Sequence, residues 1–138
     1  MTSRGPRWPS RRLRFGTTPK MPSTTNYNRG DVVLVPFPFT DLTTSKQRPA
    51  LVVSADNYNA TRRDVVVVAI TSQLPAVIAA DEYEIGAPDL AACGLPKSSL
   101  VKLSKVVTLH QQLVVKRMGR MPAATLAQIP AQLREFFS

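Results

Sequence analysis

The hydrophobic pattern of the chain changes abruptly at Gly30. Residues 1–28 scatter Pro6, Pro9, Pro19 and Pro22 among Ser, Thr and Arg and show no apolar period. Such a segment buries too little surface to offset the entropy of ordering it, and is expected to be a disordered basic tail or sequence upstream of a start at Met21. Then comes Asp31-Val32-Val33-Leu34-Val35, a β-branched run suited to a strand, followed by Pro36-Phe37-Pro38-Phe39, whose two phenylalanines share one face. Proline donates no ladder hydrogen bond, so the far end of this strand is expected not to pair, at a sheet edge or on the way into a loop. Residues 40–47 (TDLTTSKQ) read as that loop.

A second strand is expected over 49–54, then a polar connection over 55–63 with Asp56-Asn57 as turn formers. The continuous apolarity of 65–70 suits a centrally buried third strand. Weaker strand candidates are 82–85, 98–103, 106–109 and 114–118, separated by Gly86-Ala87-Pro88, Gly94-Leu95-Pro96 and His110-Gln111-Gln112. Many short strands at close spacing indicate a small, mainly β barrel or sandwich. Only the C-terminus reads as helix: Pro122 suits a first turn, and Leu126, Ile129, Leu133 and Phe137 recur at three- and four-residue spacing. Pro130 interrupts it. A mid-helix proline costs about 3 kcal/mol, so a kink or two short helices meeting near Gln128 are expected.

At 138 residues and 43% hydrophobic, the chain suits one compact domain over 29–138, preceded by the tail. The apolar run 65–70 is far shorter than the roughly 18 residues that cross a bilayer, and no apolar leader is visible, so a cytoplasmic protein with no membrane partner is expected. One cysteine, Cys93, and one histidine, His110, provide neither an internal disulfide nor a zinc set, and no metal or cofactor is expected. The net charge is +9, and six of those positive charges (Arg4, Arg7, Arg11, Arg12, Arg14 and Lys20) fall in residues 1–28 without an acid. The remainder is only mildly basic, which fits a polyanionic partner or an ordinary solvated surface equally.

Two short segments carry the candidate chemistry. If 49–54 and 65–70 pair as a hairpin, the register that sets Ser54 opposite Val65 also sets Arg48 opposite Thr71. Arg48 precedes proline, which holds it extended and restricts where its guanidinium aims; that planar fork binds two phosphoryl oxygens and stays charged at any working pH. Thr71 and Ser72 close an apolar strand with hydroxyls able to donate to a phosphate, and Gln73 can hydrogen-bond a base edge. The bland alternative is a surface arginine beside a strand that has reached water. Lys97, Lys102, Lys105, Lys116, Arg117 and Arg120 are candidates to line a backbone-binding groove, although lysines on short strands also guard edges. His110 stands alone in an expected turn, and Asp81, Glu82 and Glu84 flank Tyr83 as on the wet face of an edge strand.

In order and approximate spacing, Arg29-Gly30-Asp31-Val32-Val33-Leu34-Val35, Gln47-Arg48-Pro49-Ala50-Leu51-Val52-Val53-Ser54, Ala69-Ile70-Thr71-Ser72-Gln73 and Val101-Lys102-Leu103-Ser104-Lys105-Val106-Val107-Thr108-Leu109 resemble the MazF/PemK family of toxins from type II toxin-antitoxin systems. The likeness covers about residues 29–137. It implies an SH3-like small barrel of the CcdB/MazF type with a C-terminal helix, a homodimer, and metal-independent cleavage of single-stranded RNA (mRNA) at short sequences. It implies Arg48 and Thr71 as catalytic residues, a loop over 40–47 that lies across the RNA, and neutralisation by a cognate acidic antitoxin; the residues expected to bind RNA are Lys46, Gln47, Ser72, Gln73 and Lys105. The chain departs from several relatives over 43–47, where Thr43-Thr44-Ser45-Lys46-Gln47 stands in place of a Gly-Ser-Glu-Gln stretch. Two other readings use the same barrel: a CcdB-like toxin that binds DNA gyrase, and an RNA-binding barrel without catalysis.

Overall fold

The computed structural model describes residues 26–38 and 45–137. Of the tail expected over 1–28, residues 1–25 lie outside the described residues, as do residues 40–44 of the loop expected over 40–47; residues 45–47 are not loop but the start of a paired strand. Tyr27 and Asn28 belong to the folded body: the Tyr27 N–H donates to Gln111 Oε1 (3.1 Å) and the Asn28 N–H to Asp31 Oδ2 (2.8 Å).

Six strands form one curled antiparallel sheet, a half-barrel, with a helix at the C-terminus. They are β1 (Asp31–Pro38), β2 (Ser45–Val52), β3 (Asp64–Thr71), β4 (Glu82–Ile85), β5 (Ser99–His110) and β6 (Lys116–Arg120), in spatial order β4-β5-β3-β2-β1-β6. Alternation along the central strands sends side chains to two clusters. Val32, Leu51, Val68 and Ile70 pack with Ile85, Cys93, Leu95, Met121 and Ile129 on one face, whereas Val33, Val35, Ala50, Val52, Val65, Val67 and Ala69 pack with Phe37, Leu109 and Val114 on the other. Both faces of β3 are therefore covered, which is why residues 65–70 can be wholly apolar.

Among the described residues, four helices accompany the sheet: α1 (Asp56–Thr61), α2 (Ala87–Cys93), α3 (Ala123–Leu126) and α4 (Gln128–Phe137). The expected break near Gln128 is present between α3 and α4, and Pro130 falls in the first turn of α4, where a missing N–H forfeits no bond. The reading that only the C-terminus is helical is corrected by α1 and α2. The first occupies the connection read as polar loop; Asn59, fully buried, donates through Nδ2 to the Ser54 carbonyl (3.1 Å) while its Oδ1 accepts from Ser54 Oγ. A helix of α1's length is marginal alone, and these tertiary bonds hold it. The second starts with Pro88 in its first turn and ends at Gly94 in the left-handed region, φ +73°.

Three further expectations are revised. Residues 98–103 and 106–109 are one strand, β5, in which Val68 pairs with Val106 but the next residue, Ala69, pairs with Lys102, leaving residues 103–105 as an insertion that bends the strand. His110 ends β5, and its Nδ1 accepts from the Gln112 N–H (3.1 Å). The proline-rich end of β1 does pair, through Pro36↔Gln47 and Pro38↔Ser45. It escapes the usual prohibition because its missing donors face the other way: the Leu34 carbonyl accepts from Val115 N–H on the β6 side (2.8 Å), so Pro36 and Pro38 turn their backbones to that side as well, beyond the last β1–β6 pair at Leu34.

Candidate functional site

The site lies where the sheet forks. On the β2–β3 ladder the pairs are Ala50↔Ala69, Leu51↔Val68 and Val52↔Val67, the register expected from the sequence, and there the ladder stops. Its end has a chemical cause. The Val53 N–H donates to Val66 O (2.9 Å) and Val52 O accepts from Gly30 N–H (2.9 Å), so odd-numbered residues of β2 turn their polar groups toward β3 and even-numbered ones toward β1. Pro49 is the odd residue after Leu51 and has no N–H to give to Ile70. Beyond it β2 stays paired with β1 (Val35↔Arg48), and β3 with β5 (Thr71↔Leu100), so the sheet divides into two limbs with a groove between.

Arg48 and Thr71 lie on facing edges of this fork. Each extends the same sheet face, Arg48 after Val52 and Ala50, Thr71 after Val67 and Ala69, and both line one groove of about 760 Å³. Ser72, Gln73 and Lys105 line it too; Lys105 arrives there on the inserted residues of β5. Lys46 and Gln47 stand exposed on the β1–β2 limb, just before Arg48 and outside the groove lining. Among the other cationic candidates, Lys97 and Lys102 are in the lining, whereas Arg117 and Arg120 are turned to the buried carboxylate of Asp31 (3.6 and 2.9 Å). Lys116 is exposed on β6, away from the groove.

The lining is electropositive and donor-rich. It carries Arg48, Lys97, Lys102 and Lys105, and no Asp, Glu or His among the described residues. Lys102 is neutralised from behind by Glu82 (2.9 Å), whose carboxyl is held below the usual glutamate range by the Ala79 N–H first and by Lys102 second. Thr71 Oγ1 accepts from the Gln73 N–H (3.1 Å), a bond that uses one of its lone pairs and leaves its own proton available to donate. No group of three or more His, Cys, Asp or Glu among the described residues is placed to hold a metal ion. Cys93 is buried, and burial followed by the nearby Asp89 charge pushes its thiol up to about 11.

Sequence reasoning missed one wall of the groove. Leu95, Pro96 and Met118 line it together with Lys97, Ser99 and Ser104. In sequence the turn Gly94-Leu95-Pro96 is punctuation between strands, and its one visible signal is the lysine directly after it. A second cavity of about 370 Å³, lined mainly by apolar residues such as Val53, Val66, Val106, Leu133 and Phe137, lies under α4. No helix among the described residues is long and apolar enough to cross a membrane.

Comparison with known proteins bears on the family and the fold. Residues 28–137 match the family described as "PemK-like, MazF-like toxin of type II toxin-antitoxin system". Over 90 residues, 65% of this chain and 77% of the relative, it is 32% identical to endoribonuclease MazF6 of Mycobacterium tuberculosis and, to the same extent, to endoribonuclease MazF2 of Mycobacterium bovis. Among solved structures it superposes on a mycobacterial endoribonuclease in complex with its cognate antitoxin (TM-score 0.64, 22% identity, 80% of this chain and 94% of that one). The fold is equally shared with MazF from Deinococcus radiodurans (TM-score 0.64, 22% identity, 82% and 97%). The chain belongs to the PemK-like, MazF-like toxins of type II toxin-antitoxin systems.

Proposed function

We propose that the protein is a metal-independent endoribonuclease that cleaves single-stranded RNA in the groove between the two limbs of the sheet. The observation that carries this reading is that Arg48 and Thr71 line one cation-rich groove from opposite edges of the fork. The ribose 2′-hydroxyl attacks the adjacent phosphorus; the 2′-oxygen–phosphorus bond forms as the phosphorus–O5′ bond breaks. The proton lost from the 2′-oxygen balances the one gained by the leaving O5′, and the products are a 2′,3′-cyclic phosphate and a 5′-hydroxyl. Because the nucleophile belongs to the substrate, alignment supplies much of the acceleration. The Arg48 guanidinium stabilises the negative charge gathering on the five-coordinate phosphorus, and the Thr71 hydroxyl donates to a phosphoryl oxygen.

Ser72, Gln73 and Lys105 hold the strand around that linkage, with Lys46 and Gln47 reaching it from the β1–β2 limb. The protein works in the cytoplasm as a homodimer and is neutralised by an acidic antitoxin; the positive groove suits such a segment, and a relative of the same fold is solved with its cognate antitoxin. The test is digestion of a long RNA by purified protein in excess chelator. Discrete fragments with cyclic-phosphate ends, lost in Arg48→Ala and Thr71→Ala variants that remain folded, are expected. Retention of RNA without cutting overturns the nuclease in favour of a binding barrel.

A further inference from the structure

The groove's volume of about 760 Å³ lies in the upper part of the roughly 300–1,000 Å³ that holds a drug-sized ligand, so it takes in more than the one linkage addressed by Arg48 and Thr71. Its remaining wall is the turn between α2 and β5, which bears Lys97. That turn is fixed from three sides. Gly94 is left-handed and packs so tightly on β6 that a Cβ there would lie 2.1 Å from the Met118 carbonyl oxygen, and a Cβ on Gly119 would lie 2.3 Å from the Ala92 carbonyl oxygen at the end of α2. Leu95 is buried in the core, and the buried Ser99 donates from Oγ to the Lys97 carbonyl (2.8 Å). An ordinary surface lysine rides on a compliant backbone; this one projects from a clamped one.

Charge separates it from Lys102. Lys102 is matched by Glu82, whereas among the described residues no carboxylate lies within ion-pair distance of Lys97 or Lys105. Lys97 is therefore an uncompensated cation on a rigid wall whose neighbours, Leu95, Pro96 and Met118, are apolar. A phosphate beside an apolar surface that can receive a sugar or base is the chemistry of one nucleotide.

We infer that Lys97 binds the substrate phosphate next to the one cleaved, with the flanking nucleotide resting on Pro96 and Met118. This rests on the nuclease reading. Lys97 is a positioning residue: it sets which stretch of RNA lies across the fork and does not touch the reacting atoms.

The experiment compares wild type with Lys97→Ala, Lys97→Arg and Arg62→Ala, the last removing an equal charge outside the groove. Cleavage of a long single-stranded RNA gives kcat and KM, and a 2′-O-methyl RNA of the same sequence, which cannot be cut, gives the salt dependence of binding. Lys97→Ala is expected to raise KM on the order of 3- to 10-fold with kcat held, and to lower the slope of log affinity against log salt by about 0.7, the loss of one single-strand phosphate contact. Lys97→Arg restores both, and Arg62→Ala changes neither. Equal KM and slope in Lys97→Ala and Arg62→Ala overturn the inference, as does a fall in kcat at unchanged KM. Should wild type bind the 2′-O-methyl RNA yet cut no RNA, the nuclease reading fails, while the slope still decides whether Lys97 holds a phosphate.

Discussion

Replacing Pro49 by alanine returns a backbone N–H to the point where the β2–β3 ladder ends. By the alternation of backbone direction, that N–H faces Ile70, one step beyond the Leu51↔Val68 pair. Two terms of opposite sign govern stability. Losing the proline loosens the unfolded chain and costs about 0.4–1 kcal/mol, while one further ladder bond returns about 0.5–1.5 kcal/mol. The net change in unfolding free energy is expected within about 1 kcal/mol of zero, read from urea denaturation. Activity has no such compensation. Extending the ladder draws together the edges that bear Arg48 and Thr71, and Arg48 loses the restriction that a following proline imposes. A displacement of about 1 Å in an aligned site costs on the order of 10² in rate. Single-turnover RNA cleavage should fall by about that factor, whereas Pro36→Ala, whose restored N–H points away from β2, should leave it unchanged. A Pro49→Ala protein that cuts within about threefold of wild type would refute the idea that this proline opens the groove. A stability loss above about 2 kcal/mol would show instead that the ring acts through packing.

Other outcomes follow from single contacts. Arg48→Ala is expected to lower the cleavage rate by on the order of 10² to 10³, about 3–4 kcal/mol, as for loss of one transition-state donor, measured on protein shown by circular dichroism to be folded. Thr71→Val, nearly isosteric but without a donor, should lose activity where Thr71→Ser keeps most of it; equal rates would remove the hydroxyl from the mechanism. Asp31, 1% exposed, accepts from Asn28 N–H and pairs with Arg120, so Asp31→Ala should destabilise by about 2–3 kcal/mol, a figure already reduced because both arginines are half-exposed and can turn to water. Gly94→Ala adds about 1–2 kcal/mol of left-handed strain to a clash with the Met118 carbonyl, and a thermal-melt loss equivalent to less than about 1 kcal/mol would mean the turn yields freely. The buried Cys93 thiol, raised from 9.0 to about 11, favours the native state below the unfolded value and ceases to do so as pH climbs through the folded one. Native protein should resist thiol reagents at pH 8 and lose stability between about pH 9 and 11, and a Cys93→Ala variant should lack that alkaline decline.

The parts of this molecule legible in sequence are those where the period of the side chains carries the information. The register of β2 on β3 followed from two apolar runs and a constant pairing rule, and it was enough to bring Arg48 and Thr71 to the same place. The break between α3 and α4 followed from Pro130. The helices α1 and α2 left no such trace. With six and seven residues they are too short to show an apolar stripe, and what stabilises them is distant in sequence: the Ser54–Asn59 bonds for one, the close seat of Gly94 and Gly119 for the other. The inserted residues of β5 were invisible for a related reason, since an insertion is defined by the partner strand and not by the strand that carries it.

Glycine and proline punctuate the sequence, yet in the fold they are structural parts of the groove. Pro49 sits inside a strand flanked on both sides, where a proline argues against a strand; it is tolerated because the bond it forbids is the one whose absence divides the sheet. Gly94 and Gly119 let α2 and β6 approach until no side chain fits between them, and that contact holds the opposite wall of the same groove. Residues that weaken regular structure therefore stand at each end of the cleft. If both devices serve substrate positioning, their removal should act in different ways: Pro49→Ala should lower kcat through the alignment of Arg48 and Thr71, and Gly119→Ala should raise KM through the seat of Lys97. A Gly119→Ala protein that folds and shows the kcat defect instead would place the α2 turn in the alignment of the cleaved linkage itself.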